Sequence, residues 1–135
     1  MLSETKTGVQ DYLGISINYD REEYLNDFSL SSLKDRYLWN DETHAQEAFA
    51  RASVYAATYK GTVDYKLAQR LYDYSSNLWF MFSTPILSNG GTTRGLPISC
   101  FLNFVPDSRV GLSSHYDENI WLTSSGGGLG GYWGS

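Results

Sequence analysis

The chain has 135 residues, a length that allows one small domain and leaves little room for a second. Hydrophobic residues make up 41% of it and aromatic residues 16%, which predicts a chain that folds around a core rather than a disordered one. The formal net charge of −5 at pH 7 provides no broad basic field, so we expect neither DNA nor RNA as a partner.

Cellular location is indicated by what the sequence lacks. No apolar run approaches the roughly 20 residues that a membrane helix needs, so we expect no membrane association. Cys100 is the single cysteine and cannot form an internal disulfide, and the N-terminal residues carry no apolar stretch with a basic flank. These features together predict a cytoplasmic protein.

The first part of the chain divides into two regions. Residues 1–20 carry two glycines among scattered polar groups and show no sustained period, which predicts an irregular N-terminal arm. Residues 21–80 form a predicted helical region. Its apolar residues over 21–39 favour two short helices with a break near residues 29–32.

The rest of the helical region has clearer start and stop signals. Thr43 and Gln46 have the spacing of a capping box, which predicts the start of a helix there. Gly61 is expected to end that helix. A second apolar stripe over residues 64–80 predicts another helix, so the two should form a helical hairpin.

After Met81, proline and glycine become frequent and predict a loop. Alternating apolar residues then predict a strand over 97–105, with Cys100 in its middle among apolar neighbours. A further helix is expected over residues 112–124. The chain then enters a glycine run from residue 126, which predicts a flexible loop.

That glycine run contains the pattern G-x-G-x-x-G at Gly126, Gly128 and Gly131, which occurs in dinucleotide-binding folds. Such a fold needs a helix opening from the glycines and an acidic residue about 20 positions later. The sequence has neither, so a plain glycine loop is the favoured interpretation. Its bare N–H groups still suit a phosphate or a closely packed ligand.

Other candidate side chains have structural alternatives. A lone cysteine such as Cys100 on an apolar strand is more often a small buried hydrophobe than a reactive thiol. His115 with Asp117 and Glu118 lacks a second histidine nearby, so we expect a solvated helix face and no metal site. His44, in a capped first helical turn, is expected at the surface.

Four segments form a more specific pattern together than any of them does alone. They are STPILSNGGT at 83–92, LPISCFL at 96–102, PDS at 106–108 and the glycine run at 126–134. This pattern resembles the N-terminal portion of the large, catalytic subunit of ribonucleotide reductase, in the lineages that include class I and class II. The resemblance implies an α/β fold, in which an N-terminal helical region leads into the first strand of a ten-stranded α/β barrel that is incomplete in this chain. Residues 81–135 would then be the start of the catalytic barrel with its substrate and effector loops.

The resemblance implies a role for four residues at the substrate. Thr84, in the Thr-Pro step, would help to bind the substrate diphosphate. Ser99 and Cys100 would contact the substrate from the first barrel strand, and Cys100 would be one of two redox-active thiols. Gly128 would approach the substrate through its backbone.

The resemblance also implies allosteric control. Asp107, Ser108 and Arg109 would belong to a specificity site that binds a deoxynucleoside triphosphate or ATP effector. No metal ligand is implied in this chain.

The implied activity is reduction of ribonucleotides to deoxyribonucleotides for DNA replication. Because one thiol cannot supply two electrons and Cys100 has no second cysteine beside it in this sequence, we expect a fragment that is inactive alone. A split gene, an intein or a truncated reading frame would each produce such a fragment. The alternative is a catalytically silent helical assembly module with a buried structural cysteine.

The resemblance further implies the components of the complete enzyme. The expected partners are the remainder of the large subunit, a radical-generating small subunit and a ribonucleoside diphosphate substrate, with triphosphates left open. No cofactor is expected on this chain. The radical would come from a metal-containing small subunit or from adenosylcobalamin, and thioredoxin or glutaredoxin would be the reductant.

Overall fold

A computed structural model describes residues 6–133 of the chain. The chain divides into two compact units, Met1–Pro97 and Ile98–Ser135, and each is described by itself. Within the described residues, no helix combines the length and the apolar character that crossing a membrane requires.

The first unit begins with a β-hairpin. Strands β1 (Val9–Tyr12) and β2 (Ile15–Asn18) pair antiparallel, and the turn between them is formed by Leu13 and Gly14, with φ of +52° and +82°. Alternation along β2 directs Ile15 and Ile17 into the core, where both are buried. The predicted irregular arm is therefore wrong over the described residues 6–20; residues 1–5 lie outside the described part.

A 3₁₀ helix (Tyr19–Tyr24) follows the hairpin and leads into helix α1 (Asp27–Arg36). The predicted break near residues 29–32 is wrong, because α1 runs through this segment without interruption. Its start is set by Asn26, whose side-chain oxygen accepts a hydrogen bond of 2.8 Å from the N–H of Ser29. With the N-cap in place, the serines that follow are accommodated inside the helix.

Helix α2 (Ala45–Ala56) starts one residue later than its sequence signal indicates. The N-cap is His44. The backbone N–H of His44 donates a 3.0 Å hydrogen bond to the Glu47 carboxylate. The predicted partners Thr43 and Gln46 are out of register with this cap. Gln46 is fully buried instead, so it belongs to the core face of the helix.

A short hairpin of β3 (Thr58–Tyr59) and β4 (Thr62–Val63) joins α2 to helix α3 (Tyr65–Ser76). Helix α3 is capped by Asp64 and is shorter than the predicted span of 64–80. The two helices pack on each other, and small residues at their contact allow a close approach. The fully buried apolar side chains on them are Ala48, Phe49, Ala50, Ala52, Ala68 and Tyr72.

The first unit closes with helix α4 (Thr84–Asn89), where the sequence predicts a loop. Pro85 stands in the first turn of α4, a position at which its missing N–H costs nothing. Leu87 is buried in the core of the unit. Because a helix of six residues is not stable by itself, α4 depends on packing against the rest of the unit.

The second unit is a β-α-β arrangement. Strand β5 (Cys100–Phe104) is followed by helix α5 (Arg109–Ser124) and by strand β6 (Gly128–Tyr132), which pairs parallel to β5. A parallel pair needs a crossover of this kind. The glycine run therefore forms a strand and not the predicted flexible loop. Helix α5 also starts three residues before the predicted position.

Candidate functional site

Cys100 is exposed at the first residue of β5. Its Sγ lies 3.7 Å from the hydroxyl oxygen of Ser99, which is also exposed. The expected position in mid-strand among apolar neighbours is wrong, since the described residues of the second unit leave the thiol open. An exposed thiol can meet a ligand or another sulfur atom, as redox chemistry requires.

Strand pairing brings Gly128 to this thiol. In the register of β5 and β6, Cys100 stands opposite Gly128, and the Gly128 N–H donates a 2.6 Å hydrogen bond to the carbonyl of Ser99. Ser99, Cys100 and Gly128 therefore meet where the two parallel strands begin. A hydroxyl, a thiol and backbone without side chains form one small exposed surface.

Gly127 is a residue of this site that the sequence did not single out. A Cβ on Gly127 would overlap the ring of Phe101, whereas a Cβ on Gly128 would make an ordinary 3.5 Å contact with the Ser99 carbonyl. The close approach of β6 to β5 thus depends on Gly127. The glycine run itself is the only signal for this in the sequence, and it does not distinguish its members.

Asp107, Ser108 and Arg109 lie beyond the other end of β5, and all three are exposed. The Ser108 hydroxyl oxygen accepts a 3.0 Å hydrogen bond from the N–H of Gly111 and caps α5. The four residue steps of β5 separate its two ends by about 13 Å. Asp107, Ser108 and Arg109 therefore lie apart from Cys100.

His115 is buried between α5 and the strands, so the predicted solvated position is wrong. Its Nδ1 lies 3.0 Å from the side-chain amide of Asn103 and its Nε2 lies 3.1 Å from that of Asn119. The ring of Trp133 meets the imidazole edge-on at 4.9 Å. Among the described residues, no group of three or more histidine, cysteine or acidic side chains is placed to hold a metal ion.

His44 and Glu47 are also buried, in the first unit, contrary to the surface position predicted for His44. The Glu47 carboxylate accepts hydrogen bonds from the N–H of Thr43 at 2.6 Å, from the Tyr19 hydroxyl at 2.9 Å and from the ammonium group of Lys6. Burial alone would raise the pKa of Glu47, but these donors outweigh it and hold the pKa below its ordinary value.

Thr84 is the remaining candidate and lies in the first unit, at the first residue of α4. Its side chain is exposed, and its hydroxyl oxygen lies 3.3 Å from the phenol oxygen of Tyr37. A hydroxyl that accepts a hydrogen bond from the phenol keeps its own O–H to donate to an anionic ligand.

Comparison with known proteins places the chain in a family. The family model described as "Ribonucleotide reductase, all-alpha domain" matches residues 23–95, more than half of the chain. The ribonucleoside-diphosphate reductase large subunit of Invertebrate iridescent virus 6 is 40% identical over 116 residues, which are 86% of this chain and 12% of that protein. The large subunit of Invertebrate iridescent virus 3 is 41% identical over 116 residues, which are 18% of that protein.

A solved structure agrees with these sequence matches. The Actinobacillus ureae class Id ribonucleotide reductase alpha subunit superposes with a TM-score of 0.69 at 35% identity, over 83% of this chain and 21% of that one. The chain thus spans between about an eighth and a fifth of these relatives. With its helices, small sheets and exposed thiol, it belongs to the ribonucleotide reductase family, in which it corresponds to an N-terminal fragment of the large subunit.

Proposed function

We propose that this chain contributes Cys100 and parts of the substrate and effector sites to an enzyme that reduces ribonucleoside diphosphates to deoxyribonucleotides. The relatives named above are ribonucleoside-diphosphate reductase large subunits, which supports this activity. The observation that carries the proposal is the exposed thiol of Cys100 beside the bare backbone of Gly128. The chain is inactive until it is joined to the remainder of the subunit.

The reduction of a ribonucleotide needs two thiols, and Cys100 is one of them. Replacing the 2′ C–O bond of the ribose by a C–H bond releases water and consumes two electrons and two protons. Two thiols supply the two electrons and the two protons when they are oxidised to a disulfide. Cys100 provides one thiol, and the remainder of the large subunit provides the other. Thioredoxin or glutaredoxin then reduces the disulfide.

Substrate binding is assigned to Thr84, Ser99 and Gly128. The hydroxyl groups of Thr84 and Ser99 can donate hydrogen bonds to phosphate oxygens, and Gly128 has no side chain to block their approach. The parallel pair β5 and β6 would be the first two strands of a ten-stranded α/β barrel completed by the remainder of the subunit. The parallel pairing and the helical crossover are consistent with such a barrel.

The effector site is assigned to Asp107, Ser108 and Arg109. A deoxynucleoside triphosphate or ATP would bind there and select the substrate. The separation of the two ends of β5 supports this assignment, because an effector at α5 does not compete for the space around Cys100. Ser108 would then combine helix capping with ligand binding.

Further partners follow from the same proposal. A small subunit with a metal centre, or adenosylcobalamin, would generate the radical that starts the reaction. The site of action would be the cytoplasm, in agreement with a chain whose single cysteine has no internal partner.

The test is to assemble the chain with the remainder of the large subunit and to measure deoxyribonucleotide formation. Cys100→Ser should lower turnover by about a thousand-fold or more, while the affinities for substrate and effector stay within about threefold. Bound ribonucleoside diphosphate should also slow alkylation of Cys100 by iodoacetamide. Full turnover by the Cys100→Ser enzyme would refute the proposal and favour an assembly module without catalytic residues.

A further inference from the structure

Arg51 is buried in the middle of α2, and its guanidinium group uses all of its five N–H donors. Nε and Nη2 donate to the two carboxylate oxygens of Glu42, at 2.6 and 3.1 Å. The second Nη2 donor reaches the carbonyl of Tyr37 at 2.9 Å, and Nη1 donates to the carbonyls of Leu87 at 3.1 Å and Gly90 at 2.8 Å. One side chain thus joins three segments of the first unit.

Two of those acceptors belong to the end of α4. The carbonyls of Leu87 and Gly90 are at its last turn and just after it, where helix carbonyls lack partners within the helix. Glycines let this end approach α2: a Cβ on Gly90 would lie 2.8 Å from the ring of Tyr55, and one on Gly91 would lie 3.2 Å from Cγ of Arg51. Helix α4 is therefore held against α2 through Arg51.

The third acceptor leads to the other end of α4. Arg51 donates to the backbone carbonyl of Tyr37. The phenol oxygen of Tyr37 lies 3.3 Å from the hydroxyl of Thr84. Arg51 therefore fixes α4 directly at its last turn and, through Tyr37, at Thr84. Glu42 keeps the guanidinium group in place, and the side chains of this ion pair are only 6% and 3% exposed.

We infer that Arg51, oriented by Glu42, is a positioning residue that sets the location of the Thr84 hydroxyl for the substrate diphosphate, with Tyr37 as the contact to that hydroxyl. This inference rests on the proposed function of Thr84. The three carbonyls and the carboxylate are spread around the guanidinium plane. A lysine ammonium group in the same place cannot reach all of them, because it has three donors at a single atom.

The test uses the enzyme assembled from this chain and the remainder of the large subunit. Arg51→Lys keeps the charge and should raise the KM for ribonucleoside diphosphate about tenfold or more, with kcat at saturating substrate and effector affinity within about twofold of wild type. Tyr37→Phe removes only the hydroxyl contact and should raise KM by about two- to fivefold. Arg70→Lys, at an exposed arginine on α3, is the matched control and should change nothing.

Thr84→Val separates this inference from the function on which it rests. We expect it to raise KM, and Arg51→Lys combined with it should add little further. If Thr84→Val raises KM but folded Arg51→Lys and Tyr37→Phe leave it unchanged, the inference is overturned and the function of Thr84 stands. If Thr84→Val itself has no effect, the diphosphate role of Thr84 fails and the inference fails with it. Should Arg51→Lys not fold, an unchanged KM for Tyr37→Phe overturns the inference alone.

Discussion

The ring of Phe101 on β5 occupies the space in which a side chain on Gly127 would lie. This contact explains why β6 can begin beside Cys100, since only a residue without Cβ lets the chain pass the aromatic ring at this point. The glycine run is therefore a packing element of the second unit.

Gly127→Ala should loosen the pairing of β5 with β6. The added methyl group must displace Phe101 or separate the strands, at a cost of roughly 1–3 kcal/mol. Hydrogen exchange of the β5 amides should become about ten- to a hundredfold faster. Gly130→Ala is the matched control, because its Cβ would meet only the mobile end of Leu102, at 3.1 Å. Equal protection in both variants would contradict this prediction.

Glu47 should make the unfolding free energy of the first unit depend on pH. The native carboxyl has a pKa below its ordinary value of 4.5, so the folded state binds this proton less readily than the unfolded state. The stabilisation is thus complete above about pH 4.5 and is lost as the pH falls towards the native pKa. Urea unfolding of the chain at several pH values measures this loss.

Glu47→Gln should abolish that part of the pH dependence and lower stability by about 2–4 kcal/mol at neutral pH, because an amide cannot accept all of the hydrogen bonds that the carboxylate does. Glu23→Gln, at an exposed carboxylate, is the control. The same acid-induced loss in the Glu47→Gln chain as in wild type would show that another group is responsible.

Phe49 should carry a large share of the core energy of the first unit. Its ring is fully buried, so Phe49→Ala leaves a cavity and should cost about 3–5 kcal/mol of unfolding free energy. Phe28, which is 80% exposed, offers the same substitution without a cavity and should change stability by less than about 0.5 kcal/mol. Chemical denaturation of the two variants compares them directly, and similar costs would be inconsistent with the buried position of Phe49.

His115→Ala should weaken the attachment of α5 to β5. The substitution leaves the amides of Asn103 and Asn119 without their imidazole partner and removes the contact with Trp133, which should cost about 1–3 kcal/mol. Amide exchange in α5 reports this change. Ile120→Ala, at a 67% exposed position of the same helix, should leave exchange nearly unaltered. A rigid α5 in the His115→Ala protein would argue against a structural role of the imidazole.

Local signals in the sequence located most helices but missed where strands meet. The apolar stripe over residues 64–80 and the alternation along β5 act within a few residues, so periodicity finds such elements. Helix α4 was missed, because the proline and glycines around it predict a loop. The capping box lies one residue later than predicted, at His44 and Glu47. The side chain of Gln46 is buried in the core instead of capping the helix, and burial depends on packing, which residue spacing does not reveal.

The sequence by itself determined the family, the single thiol and the segments in which the candidate residues lie, because motif spacing and composition are properties of the chain alone. Only the tertiary structure decided that Cys100 is exposed opposite Gly128, that His115 and Glu47 are buried, and that Arg51 joins α2 to α4. The reason is physical: burial, strand register and side-chain hydrogen bonds arise from residues far apart in sequence, and no local pattern encodes which of them meet.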